Sequence, residues 1–422
     1  MLATVRGTGW LGGRVTVPGD KSISHRALIF NAIAGGEATV NGLSTAADVG
    51  STASCLRALG VEVEDGRVRG AGLHGLRPAS GALDCGNSGT TMRLLAGLLA
   101  AQPFSSTLVG DASLSARPME RLTQPLRLMG ARVESGPLRV GGGGPLAAID
   151  YASPVSSAQV KTALLLAGLY AEGTTRVEEP APSRDHSERM LRAMGAAIDY
   201  RPGAASVVGP VEGLCPLSLT VPGDLSAAAF WLVAGGLSRS GRVQLSGVGV
   251  NPSRTALLHV LRRVGLAVHM SGLRQAGEEP VADLEVGGDG GEAQALDVEG
   301  AEAALLIDEL PVLAVAAAFL PRVSRITGAA ELRVKESDRI AAMAEGLTRL
   351  GARVSELPDG WEIRGGGGLV GARVSTRGDH RVAMALAVAG LLAEGETEID
   401  GAECVAVSYP KFWDDLELLC SR

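Results

Sequence analysis

The chain has 422 residues and carries a net charge of −7, with 58 glycines but only 4 Trp, 4 Tyr and 5 Phe. A chain of this length predicts two or three domains. The glycines follow no three-residue period, which excludes a collagen-like protein. An apolar content of 46% excludes a mainly disordered chain.

The acidic balance disfavours a nucleic-acid-binding protein, because phosphate backbones require a broad positive surface. A local anion-binding pocket is compatible with it. The amino-terminal segment has no apolar core typical of a secretory signal, and every long apolar run contains charges. We therefore expect a cytoplasmic protein that binds neither a membrane nor nucleic acid.

Cysteine and histidine spacing predicts no zinc site, since the chain has neither a CxxC nor an HExxH motif. The cysteines are scattered and odd in number, so reduced thiols are expected; they are Cys55, Cys85, Cys215, Cys404 and Cys420.

An internal repeat of about 70 residues runs through the chain, and each copy contains an apolar helix, a turn of small residues and a short strand. The strand positions that match are Val40, Leu108, Val177, Leu245, Ile326 and Ile399. In five copies a glycine follows two residues later, at Gly42, Gly110, Gly247, Gly328 and Gly401. The exception is Glu179.

A second element repeats in the same phase and reads Leu-x-x-apolar-Gly, followed by a strand of alternating polarity. Its glycine falls where a helix end favours the left-handed conformation. These glycines are Gly60, Gly130, Gly195, Gly265 and Gly351, and a truncated sixth copy is expected from Leu416 onward.

The tetrapeptide VPGD occurs at 17–20 and again at 221–224, an offset of about three repeats. We therefore predict two halves of three units each, with crossovers near 18–21 and 221–225. The predicted domains are a discontinuous globule of residues 1–18 plus 225–422 and a second globule of residues 19–224. Helices at 162–169 and 382–389 are apolar on every side, which predicts that they are buried beneath the sheets.

Basic residues are concentrated at predicted helix starts, where a cation is unfavourable beside the positive end of the helix dipole. Five such starts indicate sites where backbone N–H groups and basic side chains together hold phosphate or carboxylate. Independent surface charges are the alternative. The segments are DKSISHR (20–26), CGNSGTTMR (85–93), SRDH (183–186), KESDR (335–339) and GDHR (378–381).

Two acidic residues are candidates for proton transfer. Asp308 is predicted to lie inside an apolar helix at 305–310, where burial would raise the pKa of its carboxyl and suit it to act as a base. Glu336 precedes a helix predicted to start at Ser337, and the alternative role is an ordinary capping acid. For Glu309 the ordinary expectation is a salt bridge or an exposed helix face.

These motifs resemble those of the 5-enolpyruvylshikimate-3-phosphate synthase family of enolpyruvyl transferases, and the resemblance covers nearly the whole chain. The segments that carry it are PGDKSISHRA (18–27), DCGNSGTTMR (84–93), ARPM (116–119), SSAQVKTALLLAGL (156–169), SRDHSE (183–188), IDELPVLAVAAA (307–318), RVKESDR (333–339) and GDHRVAMA (378–385).

The resemblance implies an α/β fold of two inside-out globular domains, each of three βαβαββ-type units, with the active site in the cleft between the domains. It implies transfer of the enolpyruvyl group of phosphoenolpyruvate to the 5-hydroxyl of shikimate 3-phosphate, with release of phosphate. Both substrates are polyanions, which would explain the basic helix starts. No metal or organic cofactor is implied, and we expect a monomer.

The resemblance also assigns residues. Those expected to bind shikimate 3-phosphate are Lys21, Ser22, Arg26, Ser157, Ala158, Gln159, Arg184, Asp308 and Lys335. Those expected to bind phosphoenolpyruvate are Lys21, Gly89, Arg117, Gln159, Arg339 and Arg381. Asp308 is implied to be the base on the hydroxyl, Glu336 the acid on the methylene carbon, and Lys21 a catalytic neighbour.

One position departs from some members of the family, because Val407 stands where they have a lysine near the carboxyl terminus. Gly89 favours inhibition by the herbicide glyphosate, whereas the SAQVK motif and Val407 resemble less sensitive members; we expect a sensitive enzyme.

Two alternative functions remain open from the sequence. The sister transferase acting on UDP-N-acetylglucosamine usually has Lys-Asn in place of Lys21-Ser22 and a loop cysteine that is absent here at 112–116. The other alternative is a non-catalytic anion-binding repeat protein, in which Asp308 and Glu336 would have no catalytic role.

Overall fold

The structure is a computed structural model that describes residues 1–287 and 292–421. By its internal contacts the chain divides into two compact units. Unit 1 comprises Met1–Pro18, Pro222–Gln275 and Pro280–Arg422, and unit 2 comprises Gly19–Val221 and Ala276–Glu279. The chain therefore passes between the units after Pro18 and after Val221.

The strands in chain order are β1 (Leu2–Arg6), β2 (Gly13–Val15), β3 (Gly35–Asn41), β4 (Glu62–Glu64), β5 (Arg67–Ala71), β6 (Leu83–Asp84), β7 (Ser105–Val109), β8 (Val133–Glu134), β9 (Leu138–Gly141), β10 (Asp150–Ala152), β11 (Gly173–Glu178), β12 (Ile198–Arg201), β13 (Ala204–Gly209), β14 (Leu219–Thr220), β15 (Arg242–Gly249), β16 (Val268–Ala276), β17 (Glu279–Gly287), β18 (Asp297–Val298), β19 (Val323–Ile326), β20 (Arg353–Leu357), β21 (Gly360–Arg364), β22 (Arg373–Ser375) and β23 (Glu396–Asp400).

The α-helices in chain order are α1 (Lys21–Ala32), α2 (Ala47–Ala58), α3 (Gly89–Leu99), α4 (Ala112–Ser115), α5 (Glu120–Leu128), α6 (Ala158–Gly168), α7 (His186–Ala193), α8 (Leu225–Leu237), α9 (Ala256–Arg263), α10 (Gly300–Leu305), α11 (Leu310–Phe319), α12 (Arg339–Arg349), α13 (His380–Leu392) and α14 (Phe412–Cys420). Short 3-10 helices cover Ala330–Val334 and Ala402–Val407.

The repeated unit has the order βαβαββ, and its simplest copy is β10-α6-β11-α7-β12-β13. In its sheet β10 is parallel to β11, and β13 pairs antiparallel with both β11 and β12. A parallel pair needs a crossover, which the buried helix α6 supplies. The described part of unit 2 holds three such sheets, in the orders β14-β3-β5-β4, β6-β7-β9-β8 and β10-β11-β13-β12.

Unit 1 is discontinuous because strands pair with segments that are distant in the sequence. The amino-terminal strand β2 pairs in parallel with β15, while β14 pairs in parallel with β3 and completes the first sheet of unit 2. In the described residues of unit 1 the sheets have the orders β16-β17-β15-β2, β18-β19-β21-β20 and β1-β23-β22. Each unit thus borrows the first strand of its first sheet from a distant segment.

Both units carry their most apolar helices inside. In unit 2 nearly every residue of α3 and α6 is buried; α3 packs closely against α6, where Gly97 meets the backbone of Ala163, and α1 packs against α3. In unit 1 the corresponding helices are α8, α11 and α13. The inside-out arrangement and the burial of the helices at 162–169 and 382–389 are therefore confirmed.

The repeat prediction is confirmed for the six strand positions and for the five helix-terminal glycines. Its six strand positions lie in β3, β7, β11, β15, β19 and β23, one in each sheet of the described residues. The five helix-terminal glycines Gly60, Gly130, Gly195, Gly265 and Gly351 all have φ between 88° and 92°, the left-handed conformation that ends a helix without strain only in glycine.

The predicted domain boundaries differ from the observed units at two places. Residues 222–224 belong to unit 1, because Asp224 N donates to Pro18 O at 2.9 Å and Gly223 N donates to Gly247 O at 2.8 Å. Ala276–Glu279 group with unit 2, where Glu279 Oε1 lies 2.7 Å from His186 Nδ1. Neither contact has a signal in the local sequence.

Candidate active site

The start of α1 places the first predicted binding residues of unit 2. Asp20 caps the helix by accepting a hydrogen bond from Ile23 N at 2.9 Å, so Lys21 and Ser22 occupy its first turn. Lys21 Nζ donates to Asp48 Oδ2 at 2.8 Å and remains one-fifth exposed. A partly exposed ammonium group at a helix start can exchange this partner for an anionic ligand.

Arg26 lies deeper in the same helix and links three elements. Its Nε donates to Ser187 Oγ at 2.6 Å, its Nη1 to Ser22 O at 2.9 Å and its Nη2 to Thr162 Oγ1 at 2.9 Å. Burial lowers the pKa of Arg26 to about 10, so the guanidinium stays charged at neutral pH. Its role as a direct substrate ligand stays a prediction.

The glycine-containing loop leads directly into α3, as expected. Ser88 caps this helix by accepting from Thr91 N at 3.1 Å, and Gly89 is its first residue. Arg117 Nη2 donates to Asn87 Oδ1 at 2.7 Å, which holds a second basic side chain beside the loop.

The start of α6 brings the remaining predicted residues of this unit to the same loop. Ser157 caps α6, Ala158 is its first residue, and Gln159 follows. Gln159 Nε2 donates to Thr90 Oγ1 at 2.9 Å, and Gln159 Oε1 accepts from Arg93 Nη1 at 2.7 Å. Gly89, Gln159 and Arg93 are therefore neighbours.

Arg184 completes this set, because its Nη1 donates to Ser22 Oγ at 3.4 Å. We call Lys21, Arg26, Arg93, Arg117 and Arg184 the basic group of unit 2. They come from α1, α3 and two loops, and Arg184 and Arg93 contact the half-buried Ser22 and Gln159 respectively. This combination suits a ligand with phosphate and hydroxyl groups.

Unit 1 holds the predicted acid–base residues. Asp308 lies in the turn between α10 and α11, and its side chain is 19% exposed. Its Oδ1 lies 3.5 Å from Arg381 Nε and 3.8 Å from Arg339 Nη1. Arg381 Nη1 also donates to the backbone oxygen of Asp308 at 3.0 Å, which fixes this turn against the start of α13.

Arg339 is the centre of this set and its side chain is only 1% exposed. Its Nε donates to Asp379 Oδ2 at 2.8 Å and its Nη2 to Glu336 Oε2 at 2.5 Å. Burial alone would lower the pKa of Arg339, but the carboxylates of Asp379, Glu336 and Asp308 raise it above its ordinary value. We call Asp308, Glu336, Arg339, Asp379 and Arg381 the arginine–carboxylate group of unit 1.

Lys335 is half-buried and lies next to Glu336 in the sequence, but its Nζ donates to Glu331 Oε1 at 2.7 Å. Its predicted contact with shikimate 3-phosphate stays a prediction.

One expectation about the acids of unit 1 was wrong. Asp308 is not inside a helix, because α10 ends at Leu305 and α11 begins at Leu310, so a carboxylate buried in an apolar helix is not what the structure contains. The buried acid is its neighbour Glu309, which accepts a hydrogen bond from Ser226 Oγ and lies 3.6 Å from Arg254 Nη2. The salt bridge expected for Glu309 is present, whereas exposure is not.

The helix after Glu336 starts later than predicted, at Arg339. Asp338 is the capping residue, since its Oδ1 accepts from Ala341 N at 3.0 Å. Glu336 therefore lies in the loop before the helix and contacts Arg339 rather than capping it.

Three comparisons with known proteins agree. A family model for EPSP synthase (3-phosphoshikimate 1-carboxyvinyltransferase) matches residues 5–416. The chain belongs to the EPSP synthase family.

Relatives of this family from several bacteria are similar over nearly their whole length. A 3-phosphoshikimate 1-carboxyvinyltransferase from Gloeobacter violaceus is 54% identical over 418 residues, covering 96% of each chain. One from Acidithiobacillus ferrooxidans is 51% identical and covers 95% of this chain and 94% of its own. A solved structure of EPSP synthase from Acinetobacter baumannii is 41% identical, with a TM-score of 0.88 over 99% of this chain and 98% of that one.

The structure adds polar partners that the sequence did not assign. Asp48, Arg93 and Asp379 hold Lys21, Gln159 and Arg339 respectively. Asp379 had a local signal, because an acid directly before a helix start is typical of a cap, and it accepts from Arg381 N at 2.9 Å. Asp48 lies 27 residues from Lys21, and no local pattern pairs them.

At the position of the family lysine, Val407 ends a 3-10 helix, and the nearby Lys411 is exposed at the start of α14. Across the part of the chain that the structure describes, no group of three or more His, Cys, Asp or Glu side chains is arranged to hold a metal ion. None of the helices in residues 1–287 and 292–421 combines the length and apolar character needed to cross a membrane.

Proposed function

We propose that this chain transfers the enolpyruvyl group of phosphoenolpyruvate to the 5-hydroxyl of shikimate 3-phosphate and releases phosphate, a step of the shikimate pathway. Membership of the EPSP synthase family and the names of its relatives support this reaction. The observation that carries the proposal is that unit 2 contains the basic group and unit 1 contains the arginine–carboxylate group, each held by its own contacts.

The reaction requires two proton movements. The 5-hydroxyl loses a proton as its oxygen bonds to the central carbon of phosphoenolpyruvate, while the methylene carbon gains one. The resulting tetrahedral intermediate then loses phosphate together with a proton from the new methyl group, which restores the double bond. A base and an acid that exchange roles are sufficient for both stages.

We assign the base role to Asp308, supported by its partial exposure and by the two guanidinium groups that orient its Oδ1. Glu336 is assigned as the acid on the methylene carbon. Glu336 Oε2 accepts from Arg339 Nη2, so a substrate anion that binds Arg339 would compete with Glu336 for this guanidinium group.

This exchange of partners explains the composition of the arginine–carboxylate group. Three carboxylates face two guanidinium groups, so both arginines are held in place by the protein. A bound carboxylate or phosphate then competes with these carboxylates for Arg339 and Arg381. The planar guanidinium group of each arginine can donate two parallel hydrogen bonds to such an anion.

The residues of unit 2 proposed to bind shikimate 3-phosphate are Lys21, Ser22, Arg184, Ser157, Ala158 and Gln159. Those proposed to contact phosphoenolpyruvate are Lys21, Gly89, Arg117 and Gln159. Their support is the contact network that links the starts of α1, α3 and α6. Glyphosate is proposed to inhibit competitively with phosphoenolpyruvate, because Gly89 has no Cβ to displace Arg93 and Arg117 from this network.

Phosphate release in the presence of each substrate alone and of both together tests the proposal. We expect release only when shikimate 3-phosphate and phosphoenolpyruvate are both present. Release with UDP-N-acetylglucosamine instead would favour the sister transferase. Binding of both anions with no release would favour a non-catalytic anion-binding protein.

A further inference from the structure

One repeat breaks the glycine pattern, and its exceptional residue lies in a buried ionic cluster. Five of the six copies have glycine two residues after the central strand position, but the third has Glu179. The Glu179 side chain is 1% exposed, and its Oε2 lies 3.0 Å from Lys161 Nζ. Lys161 Nζ also lies 2.8 Å from Oε1 of Glu188, whose side chain is equally buried.

The cluster has one cation for two anions in the interior of unit 2. Burial alone would lower the pKa of Lys161, but the carboxylates of Glu188 and Glu179 raise it, so the lysine is charged. Among the described residues Glu188 Oε2 has no hydrogen-bond partner. Buried charge of this kind is costly to keep, and without Lys161 the two carboxylates would lose the ammonium group that pairs with both, leaving the Coulomb attraction of Arg26 for Glu188.

The carboxylate of Glu179 also accepts hydrogen bonds from two loops. Its Oε1 accepts from Ser157 N at 2.7 Å and its Oε2 accepts from Ser183 Oγ at 2.6 Å. Ser157 caps α6, and Ser183 directly precedes Arg184. The same loops are joined once more by Ser156 Oγ, which donates to Ala181 O at 2.7 Å and accepts from Ala181 N at 3.0 Å.

A glycine at position 179 could make neither of these side-chain contacts. We propose that Lys161 and Glu179 are positioning residues, which fix the Ser157 and Ser183–Arg184 loops in the conformation that binds shikimate 3-phosphate. The inference rests on the proposed function for the identity of the ligand, but the loop order it describes exists without a ligand. Lys161 holds Glu179 by its charge, and Glu179 holds both loops.

Three variants separate the steps of this argument. Glu179→Gln keeps the side-chain shape but replaces one carboxylate oxygen with an NH₂ group. That group would face either Ser157 N, in the place of Oε1, or Lys161 Nζ and Ser183 Oγ, in the place of Oε2. Lys161→Met removes the charge that holds Glu179. Ser183→Ala removes one hydroxyl and leaves the buried charges unchanged, so it remains informative if Lys161→Met does not fold.

The control for stability alone is Asn31→Ala. The buried Asn31 amide bonds to Ala27 O, Leu217 O and Leu217 N at the far end of α1, away from both loops. It therefore removes buried hydrogen bonds of the same unit without changing either loop.

Calorimetric titration with shikimate 3-phosphate should show Kd raised about tenfold or more in Glu179→Gln and Lys161→Met, and severalfold in Ser183→Ala, on the scale of a lost charged or neutral hydrogen bond. At saturating shikimate 3-phosphate the KM for phosphoenolpyruvate should change less than threefold. Asn31→Ala should leave both constants unchanged. An Asn31→Ala effect equal to that of Glu179→Gln, or a parallel rise for both substrates, would overturn the proposal.

Hydrogen exchange without any ligand tests the same inference independently of the enzyme's substrate. Peptides covering 153–158 and 180–185 should exchange at least tenfold faster in Glu179→Gln than in wild type. Unchanged exchange of both peptides would refute the positioning role even if wild-type turnover supports the proposed function. Faster exchange in Glu179→Gln, together with a wild-type protein that shows no turnover, would retain the positioning role and reject the proposed function.

Discussion

Gly89→Ala should weaken phosphoenolpyruvate binding through the arginines beside the α3 start. A Cβ at this position would lie 2.6 Å from Arg93 Nη1 and 3.3 Å from Arg117 Nη1. Ordinary contact begins at 3.4 Å, so Arg93 must move by about 0.8 Å. Its hydrogen bond to Gln159 Oε1, now 2.7 Å, would then lengthen towards the limit of such bonds or change partner.

Loss of one hydrogen bond to a charged group costs about 1.5–3 kcal/mol, or roughly a 10- to 100-fold loss of affinity. We expect the KM for phosphoenolpyruvate to rise by about that factor, with the Kd of shikimate 3-phosphate changed less than threefold. Steady-state kinetics at saturating shikimate 3-phosphate measures the first, and calorimetry measures the second.

Gly50→Ala is the matched control, because Gly50 lies within α2 and a Cβ there meets nothing within 4 Å. It should leave both constants unchanged and stabilise the helix by up to about 1 kcal/mol. A Gly89→Ala enzyme with wild-type KM for phosphoenolpyruvate would refute the placement of this substrate beside Arg93 and Arg117.

Three further outcomes are expected. Asp308→Asn should lower kcat by about 10²-fold or more while shikimate 3-phosphate still binds. A loss of binding without a change in kcat would refute a base role. The neighbouring variant Glu309→Gln should instead mainly lower the midpoint of thermal unfolding. Gly97→Ala should destabilise unit 2 by about 1–3 kcal/mol in urea unfolding, because its Cβ would lie 2.3 Å from Ala163 O, and an unchanged midpoint would contradict this packing. Burial lowers the pKa of His25 from 6.5 to about 3. Below pH 6.5 the unfolded chain therefore binds a proton that the folded chain does not. As the pH falls from 6.5 to 3, the free energy of unfolding of the wild type should decrease by about 1.4 kcal/mol per pH unit because of His25. His25→Gln should lack this decrease.

The repeat architecture could be predicted because local residues dictate it. The left-handed glycines after the helices, such as Gly60 with φ of 88°, mark each helix end in the sequence itself. Apolar residues on every side of α6 and α13 specify burial in the same local way. These signals need no knowledge of distant contacts.

The ionic groups could not be predicted in the same way. Arg339 and Asp379 are 40 residues apart, and their 2.8 Å contact depends on how α12 and α13 pack. The same holds for Glu179, whose departure from the glycine pattern was visible but whose partner Lys161 lies on another element.

The acids at 308 and 309 show a limit of periodicity. The pattern at 305–310 is apolar enough for a continuous helix, yet the structure has a turn between α10 and α11 there. That turn presents Asp308 to Arg339 and Arg381 and buries Glu309 against Ser226 and Arg254. Pro311 in the first turn of α11 is a local signal for a helix start there, whereas the ion pairs beside the turn are tertiary contacts that a single-sequence pattern does not contain.

The fate of the bridging oxygen of phosphoenolpyruvate tests the central claim most directly. In enolpyruvyl transfer the hydroxyl oxygen of shikimate 3-phosphate bonds to carbon and the C–O bond to phosphate breaks. With ¹⁸O at the bridging position, mass spectrometry should find the label in the released phosphate and an unlabelled enolpyruvyl ether of shikimate 3-phosphate. Label retained in pyruvate, with no ether formed, would mean hydrolysis at phosphorus and would contradict the account.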